Sequence, residues 1–250
     1  PWQVERIQNE ALLKIVVRDA TGRRFRLLFD ATDYPEMATG AAMVSSRLLH
    51  ALGYNVPHYW LRRIDRARLV PHPDSTVTPA GIDSMLARTS RRPNGTYRVL
   101  VSRIPGVERR IGPFAFHGTR VDDANDVFPH EDRRELRGLR LVSAWLQHSM
   151  IRHRHTLDVG VREDDRRFVR HYLTDLHLTL GSGGAAPKPR WSGHKHLLEL
   201  DQVLQRVATI GLSGGDWSET TVPNWPAVGH FESAEFHPTQ WRPEWPNPAF

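Results

Sequence analysis

The 250-residue chain has no cysteine, and only Lys14, Lys188 and Lys195 are lysines among its 34 basic residues. The first absence excludes a disulfide framework, thiolate metal sites and a cysteine nucleophile. The second makes this an arginine protein. No apolar run reaches the roughly 18 to 20 residues of a membrane helix; Arg, Asp or His interrupts each candidate, so the chain shows no transmembrane segment. Several catalytic signatures are missing too. Gly181-Ser182-Gly183 lacks the spacing of a nucleophile elbow, and there is no Gly-Lys-Ser/Thr phosphate loop and no His-Glu-x-x-His helix. No internal repeat is visible.

What is present is ordinary for a globular chain: 39% hydrophobic and 25% charged residues, with a net charge of +6. The charge is uneven. Leu61 to Arg110 holds eleven arginines against Asp65, Asp74, Asp83 and Glu108, a local excess of +7. Such a stretch reads first as a solvated face and second as a surface for phosphate, nucleic acid or an acidic partner. Nucleic acid is the weaker partner, because no zinc finger, RNP-type aromatic motif or basic heptad helix accompanies the arginines. The chain opens at Pro1 and closes on proline turns, so both ends read as lying within a longer protein.

Leu12 to Val17 and Phe25 to Phe29, around Thr21-Gly22, predict a hairpin. Met37, Ala41, Val44, Leu48 and Leu52 predict a helix from Pro35, stopped by Gly53. Tyr59–Ile64 and Arg98–Val101 read as strands, and Pro93-Asn94-Gly95-Thr96 as a tight turn. Punctuation from Pro105 to Pro113 marks a boundary. Beyond it, a helix is expected from about His130 to Met150 with Leu136, Leu139, Val142, Trp145 and Leu146 facing the core. A strand pair follows, Leu157–Val161 with Phe168–Leu173, then a helix from His194 to about Ile210. Between Thr221 and Phe250 lie six prolines and Trp225, Trp241 and Trp245, read as a tail laid on its own domain. The expected organisation is α+β: a strand-rich lobe over 1–106, a helical lobe over 107–220 and a Pro/Trp-rich tail over 221–250.

Potentially reactive side chains are densest at His148, His153, His155, Asp158, His171, Asp175 and His177. Of these, His153, His155, His171, Asp175 and His177 are the candidate ligands for zinc or another divalent ion, since imidazole and carboxylate suit such metals. Alternation along the strand sends His171 away from Tyr172, and Arg152 and Arg154 flank His153 with charges that repel a cation. The histidines are therefore expected to diverge, as structural or surface groups.

Pro35-Glu36-Met37-Ala38-Thr39-Gly40, Leu52-Gly53-Tyr54-Asn55-Val56-Pro57, Asp123 to Val127 with Pro129-His130-Glu131, Arg133 to Leu139, and His171-Tyr172-Leu173 to Gly183 together resemble an uncharacterised family of bacterial proteins. The closing Pro246-Asn247-Pro248-Ala249-Phe250 fits it as well. Members often begin with an export signal, which implies an envelope or periplasmic location, the cytoplasm being the alternative. The family in turn resembles the protein-kinase-like fold of toxin-type and spore-coat kinases, which implies a two-lobed architecture. In that fold a strand lysine holds phosphates, a helix glutamate orients it, a loop supplies Asp and Asn, and a later Asp binds magnesium.

The resemblance puts those roles at Leu28, Ala42, Met150, His155 and Asp175, of which only Asp175 keeps the required chemistry. Leucine cannot pair with phosphate, alanine cannot orient a lysine and methionine cannot accept a proton. The expectation is a pseudokinase with no catalytic residue and no required cofactor, acting as a binding or structural subunit of a bacterial envelope protein or complex through protein partners. Two alternatives stay open: a residual phosphotransferase that uses Mg-ATP at Asp175, and a metal-dependent enzyme that uses zinc at the histidines.

Overall fold

A computed structural model describes residues 1–8, 13–106, 109–148, 151–189, 192, 204–205, 207–212 and 225–229. Among them, nine strands and three α-helices form a mixed α/β architecture of the α+β type. β1 (Trp2–Gln8), β2 (Lys14–Arg18), β3 (Arg24–Phe29), β4 (Tyr59–Ile64), β5 (Leu69–Pro71) and β6 (Tyr97–Arg103) build one sheet in the order β4-β6-β3-β2-β1-β5. All its pairs are antiparallel except β1 with β5. β7 (Arg110–Gly112), β8 (Thr156–Glu163) and β9 (Arg166–Leu173) form a second, antiparallel sheet. The helices are α1 (Met37–Ala51), α2 (Pro79–Leu86) and α3 (Arg134–Trp145).

Side-chain alternation divides the large sheet into two faces. Ile15, Val17, Leu27, Phe29, Val99 and Val101 point to one face and pack with Ile82, Met85 and Leu86 of α2. Leu28 and Leu100 point to the other, where Ala38, Ala42 and Leu49 of α1 meet them. That second core runs on through Leu136, Leu139 and Leu146 to Leu173 and Leu176. The sheet is thus covered on both faces, and the second face is shared with the remainder of the chain.

α1 has no side-chain cap of its own, because the residue before it, Glu36, is left-handed at φ 70°. Asp30 at the end of β3 does the capping instead. Its carboxylate accepts from the Thr39 backbone N–H at 2.9 Å and from the Thr39 hydroxyl at 2.6 Å, in the first turn of the helix. Burial raises the Asp30 pKa, while these bonds and the Arg98 guanidinium at 3.7 Å oppose that rise. At its other end α1 stops where expected, with Gly53 at φ 91°. The middle of α1 is tied across the molecule: the Ser45 and Thr179 hydroxyls lie 2.5 Å apart, both fully buried.

The helix expected over 130–150 is shorter. A 3-10 turn at His130–Asp132 precedes α3, Arg133 between them is extended, and Gln147 at φ 51° turns the chain after Trp145. Trp145 is 44% exposed, against its expected place on the apolar stripe. At roughly 100° per residue, a position nine beyond Leu136 lies on the opposite side of the helix. The core side is instead Leu136, Leu139 and Ser143, followed by Leu146 just past the helix end.

The helix expected from His194 falls largely outside the described residues, though 204–205 and 207–208 are helical. Of the tail, Trp225 is exposed, and Gly229 packs so tightly that a Cβ there would stand 2.3 Å from the Gly181 carbonyl carbon. Trp241 and Trp245 lie outside the described residues. No helix among the described residues is long and apolar enough to cross a membrane.

Because Asp30 satisfies a helix-terminal N–H from inside the core, Asp30→Ala is expected to lower stability by about 2 kcal/mol, the usual worth of a charge-assisted hydrogen bond. Thr39→Val, which keeps the backbone bond, is expected to cost about half as much. Urea denaturation of the two variants checks the order.

Candidate functional site

The second face of the large sheet presents two rows of side chains. Register places Lys14, Leu28, Leu100 and Leu61 in one row across β2, β3, β6 and β4. Val16, Arg26, Ser102 and Tyr59 form the next. Opposite them stand α1, with Ala42, and the segment after β9. There Asp175 is left-handed at φ 58° and leads into a 3-10 turn at Leu176–Leu178. Aspartate tolerates that conformation better than most residues, and such outliers cluster at functional sites.

These parts enclose a recess of about 20 Å³ lined by Leu28, Ala42 and Asp175, with Lys14 and His177 beside them. It has room for about one water molecule. Its centre is an ion pair: Lys14 Nζ donates to Asp175 Oδ1 at 2.7 Å. Burial alone would push the Asp175 carboxyl up. The Lys14 ammonium, helped by the Arg26 guanidinium, overrides this and holds it well below the ordinary carboxylate range. His177 is buried, and that burial together with Lys14 keeps its imidazole neutral far below the usual histidine range. Its Nε2 has no hydrogen-bond partner among the described residues.

His155 joins this region through its backbone, since its carbonyl accepts from the Thr174 N–H at 2.8 Å. Met150 lies outside the described residues. Of the five positions singled out by the kinase-like resemblance, Leu28, Ala42 and Asp175 line one recess and His155 is bonded to the residue preceding Asp175. Lys14, the group that dominates the electrostatics, was not among the expected site residues.

The histidines are distributed differently from a metal centre. His171 on β9 faces Asp158 on β8, its Nδ1 2.7 Å from the carboxylate, and packs 4.5 Å from the Phe114 ring. Asp158 is fully buried and also accepts from Arg120 Nη1 at 3.0 Å. His153 belongs to an exposed 3-10 turn, and His177 Nδ1 stands 3.9 Å from Asp175. His148 is enclosed, and burial lowers its pKa to about 3, with Lys188 and His155 adding to the shift. Among the described residues, no three His, Asp or Glu side chains form a group that could hold a metal ion.

A wider cleft of about 580 Å³ adjoins the recess and shares Arg26 and Asp175 with it. One wall comes from the β2–β3 turn, β3 and the chain leaving β6; the other comes from β8 and β9. Arg23, Arg24 and Arg26 line the first wall, joined by Arg103, and Arg109 and Arg110 are added at the start of β7 in the second sheet. Arg154 completes the set. Asp175 is the one carboxylate among the described lining residues, and Lys14 already neutralises it.

Removing Lys14 leaves a mostly buried carboxylate uncompensated, so Lys14→Met is expected to cost about 2 to 3 kcal/mol at pH 7. Adding Asp175→Asn to that variant is expected to restore part of the loss. The pH dependence has a defined sign. In the native protein Asp175 has a depressed pKa, so its contribution is present above about pH 4, the unfolded value, and is lost as pH falls below it. In Lys14→Met, burial raises that pKa, so the gap between variant and native protein narrows as pH falls. Urea denaturation at several pH values measures both effects. No family model, curated protein or solved structure matches this chain.

Proposed function

We propose that this chain is a non-catalytic, two-lobed kinase-like protein, a pseudokinase, that serves as a binding or structural subunit in the envelope of a bacterium. The observation that carries this reading is the recess in which Leu28, Ala42 and Asp175 meet Lys14. Asp175, distant in sequence, meets Leu28 and Ala42 of two consecutive elements in one small space between sheet, helix and turn, and the three were linked beforehand only through the kinase-like resemblance.

The same recess argues against phosphoryl transfer. That reaction needs a base for the attacking hydroxyl and carboxylate or amide ligands for magnesium. Asp175 is committed to Lys14 at 2.7 Å, and Ala42 offers no carboxylate to draw the ammonium away. His155, at the position of the amide ligand, offers an imidazole instead. Such a site can hold a ligand or a neighbouring protein segment, and among the described residues the one carboxylate lining the recess is already paired. Protein contact is supported by Val121, Val127 and Phe128, which flank the Asp122–Asp126 loop and are exposed.

Two measurements test the proposal. A transfer assay with labelled ATP and magnesium is expected to show no label on protein, peptide or water-released phosphate. Mg-ATP is expected to give little thermal stabilisation, whereas a true ligand at a hundred times its Kd adds about 2.7 kcal/mol. Magnesium-dependent transfer that disappears in Asp175→Asn would replace this reading with a phosphotransferase.

A further inference from the structure

We propose that the arginine-lined cleft binds a small molecule carrying two or more phosphoryl groups, and that it does so without a metal ion. This deepens the proposed binding role and rests on that reading of the cleft.

Charge is the first argument. Seven guanidinium groups line one cleft, and among the described residues only Arg24 is in an ion pair, with Glu5. Arg109 Nε donates to the Gly160 carbonyl at 3.3 Å and Arg154 Nε to His155 Nε2 at 3.4 Å, and neither partner offsets the charge. Arg26 Nε is buried with no hydrogen-bond partner among the described residues, at the junction of cleft and recess. A buried donor without an acceptor is costly, and a phosphoryl oxygen would satisfy it.

Shape is the second argument. The arginines come from separate stretches of chain and converge on a bounded volume of about 580 Å³, the size of a small-molecule site, whereas a nucleic-acid surface spreads its cations along a strand or groove. Phosphoryl groups pack several negative charges into such a volume and accept bidentate bonds from guanidinium. Leu157, Val159 and Tyr172 line the same cleft and offer apolar contact to the body of the ligand. The third argument is the state of Asp175. A carboxylate neutralised by Lys14 cannot recruit magnesium cheaply, so the arginines supply the positive charge that a metal supplies in phosphoryl-transfer sites.

The test is calorimetric titration of the intact chain at 150 mM NaCl with inorganic tripolyphosphate and with ATP, each in EDTA and in excess magnesium. Saturable one-to-one binding is expected in EDTA and is expected to be lost in excess magnesium, which masks the phosphates. Arg103→Gln with Arg110→Gln, both exposed and away from the core, is expected to weaken it at least tenfold, and Arg26→Gln likewise. Arg62→Gln with Arg63→Gln on the exposed part of β4 is expected to leave it unchanged. Absence of saturable binding in EDTA, an equal loss in the Arg62/Arg63 control, or a requirement for magnesium overturns the inference. So does stronger binding of a single-stranded oligonucleotide than of tripolyphosphate at equal phosphate. Phosphate transfer in the preceding assay bears on the pseudokinase reading alone, so the two fail separately.

Discussion

The ion pair between Lys14 and Asp175 is the contact on which the arrangement of the site depends. It joins the second strand of the large sheet to a turn 161 residues later, across a space otherwise closed by Leu28 and Ala42. Part-buried pairs of this kind add little net free energy, because desolvation offsets most of the attraction. What they fix is geometry. Slipping β2 by one residue would drive the ammonium into the apolar face that holds Ile15 and Val17 and turn those side chains toward Asp175. The pair therefore opposes the wrong register more strongly than it favours the right one.

Around that contact the molecule uses buried polar groups as ties between elements distant in sequence. Asp30 caps α1 from the end of β3, Ser45 meets Thr179, and Asp158 gathers Arg120 and His171 on the smaller sheet. Each tie puts a polar atom where solvent cannot reach it and then satisfies it, so each element has one compatible position. The left-handed backbone at Asp175 belongs to the same scheme, since it aims a carboxylate back toward the sheet rather than along the turn.

The local features were legible in the sequence because their signals are local. β2 with β3, α1, β4 and β8 with β9 follow from alternation, a stop glycine and turn residues, and their observed bounds lie within a few residues of those expected. β1 was missed because a bulge between Val4 and Arg6 breaks its alternation. α2 was missed although Thr78-Pro79 is a sound helix start, Thr78 capping Gly81 at 3.0 Å, because eight residues offer too short a period to read. The extent of α3 was overestimated for the opposite reason, apolar residues continuing past the point where the backbone turns. At the site, Asp175 was visible as a residue, but its partner was not. Lys14 sits in an apolar strand segment, and nothing along the chain says which distant turn it will face.

Register also makes neighbouring strands interchangeable as sources of a charge. Lys14 and Leu28 are direct cross-strand partners on the same face, about 5 Å apart. A four-carbon side chain anchored at either place can deliver its ammonium to nearly the same point. A cationic group can therefore leave one strand and reappear on the next with no change in the fold, provided the intermediate with both or neither is tolerated. Evolution of such a site is a walk across the sheet rather than along the chain. The chemistry of such a site is set by the row of side chains that faces it, here Lys14, Leu28, Leu100 and Leu61, rather than by any single position in that row.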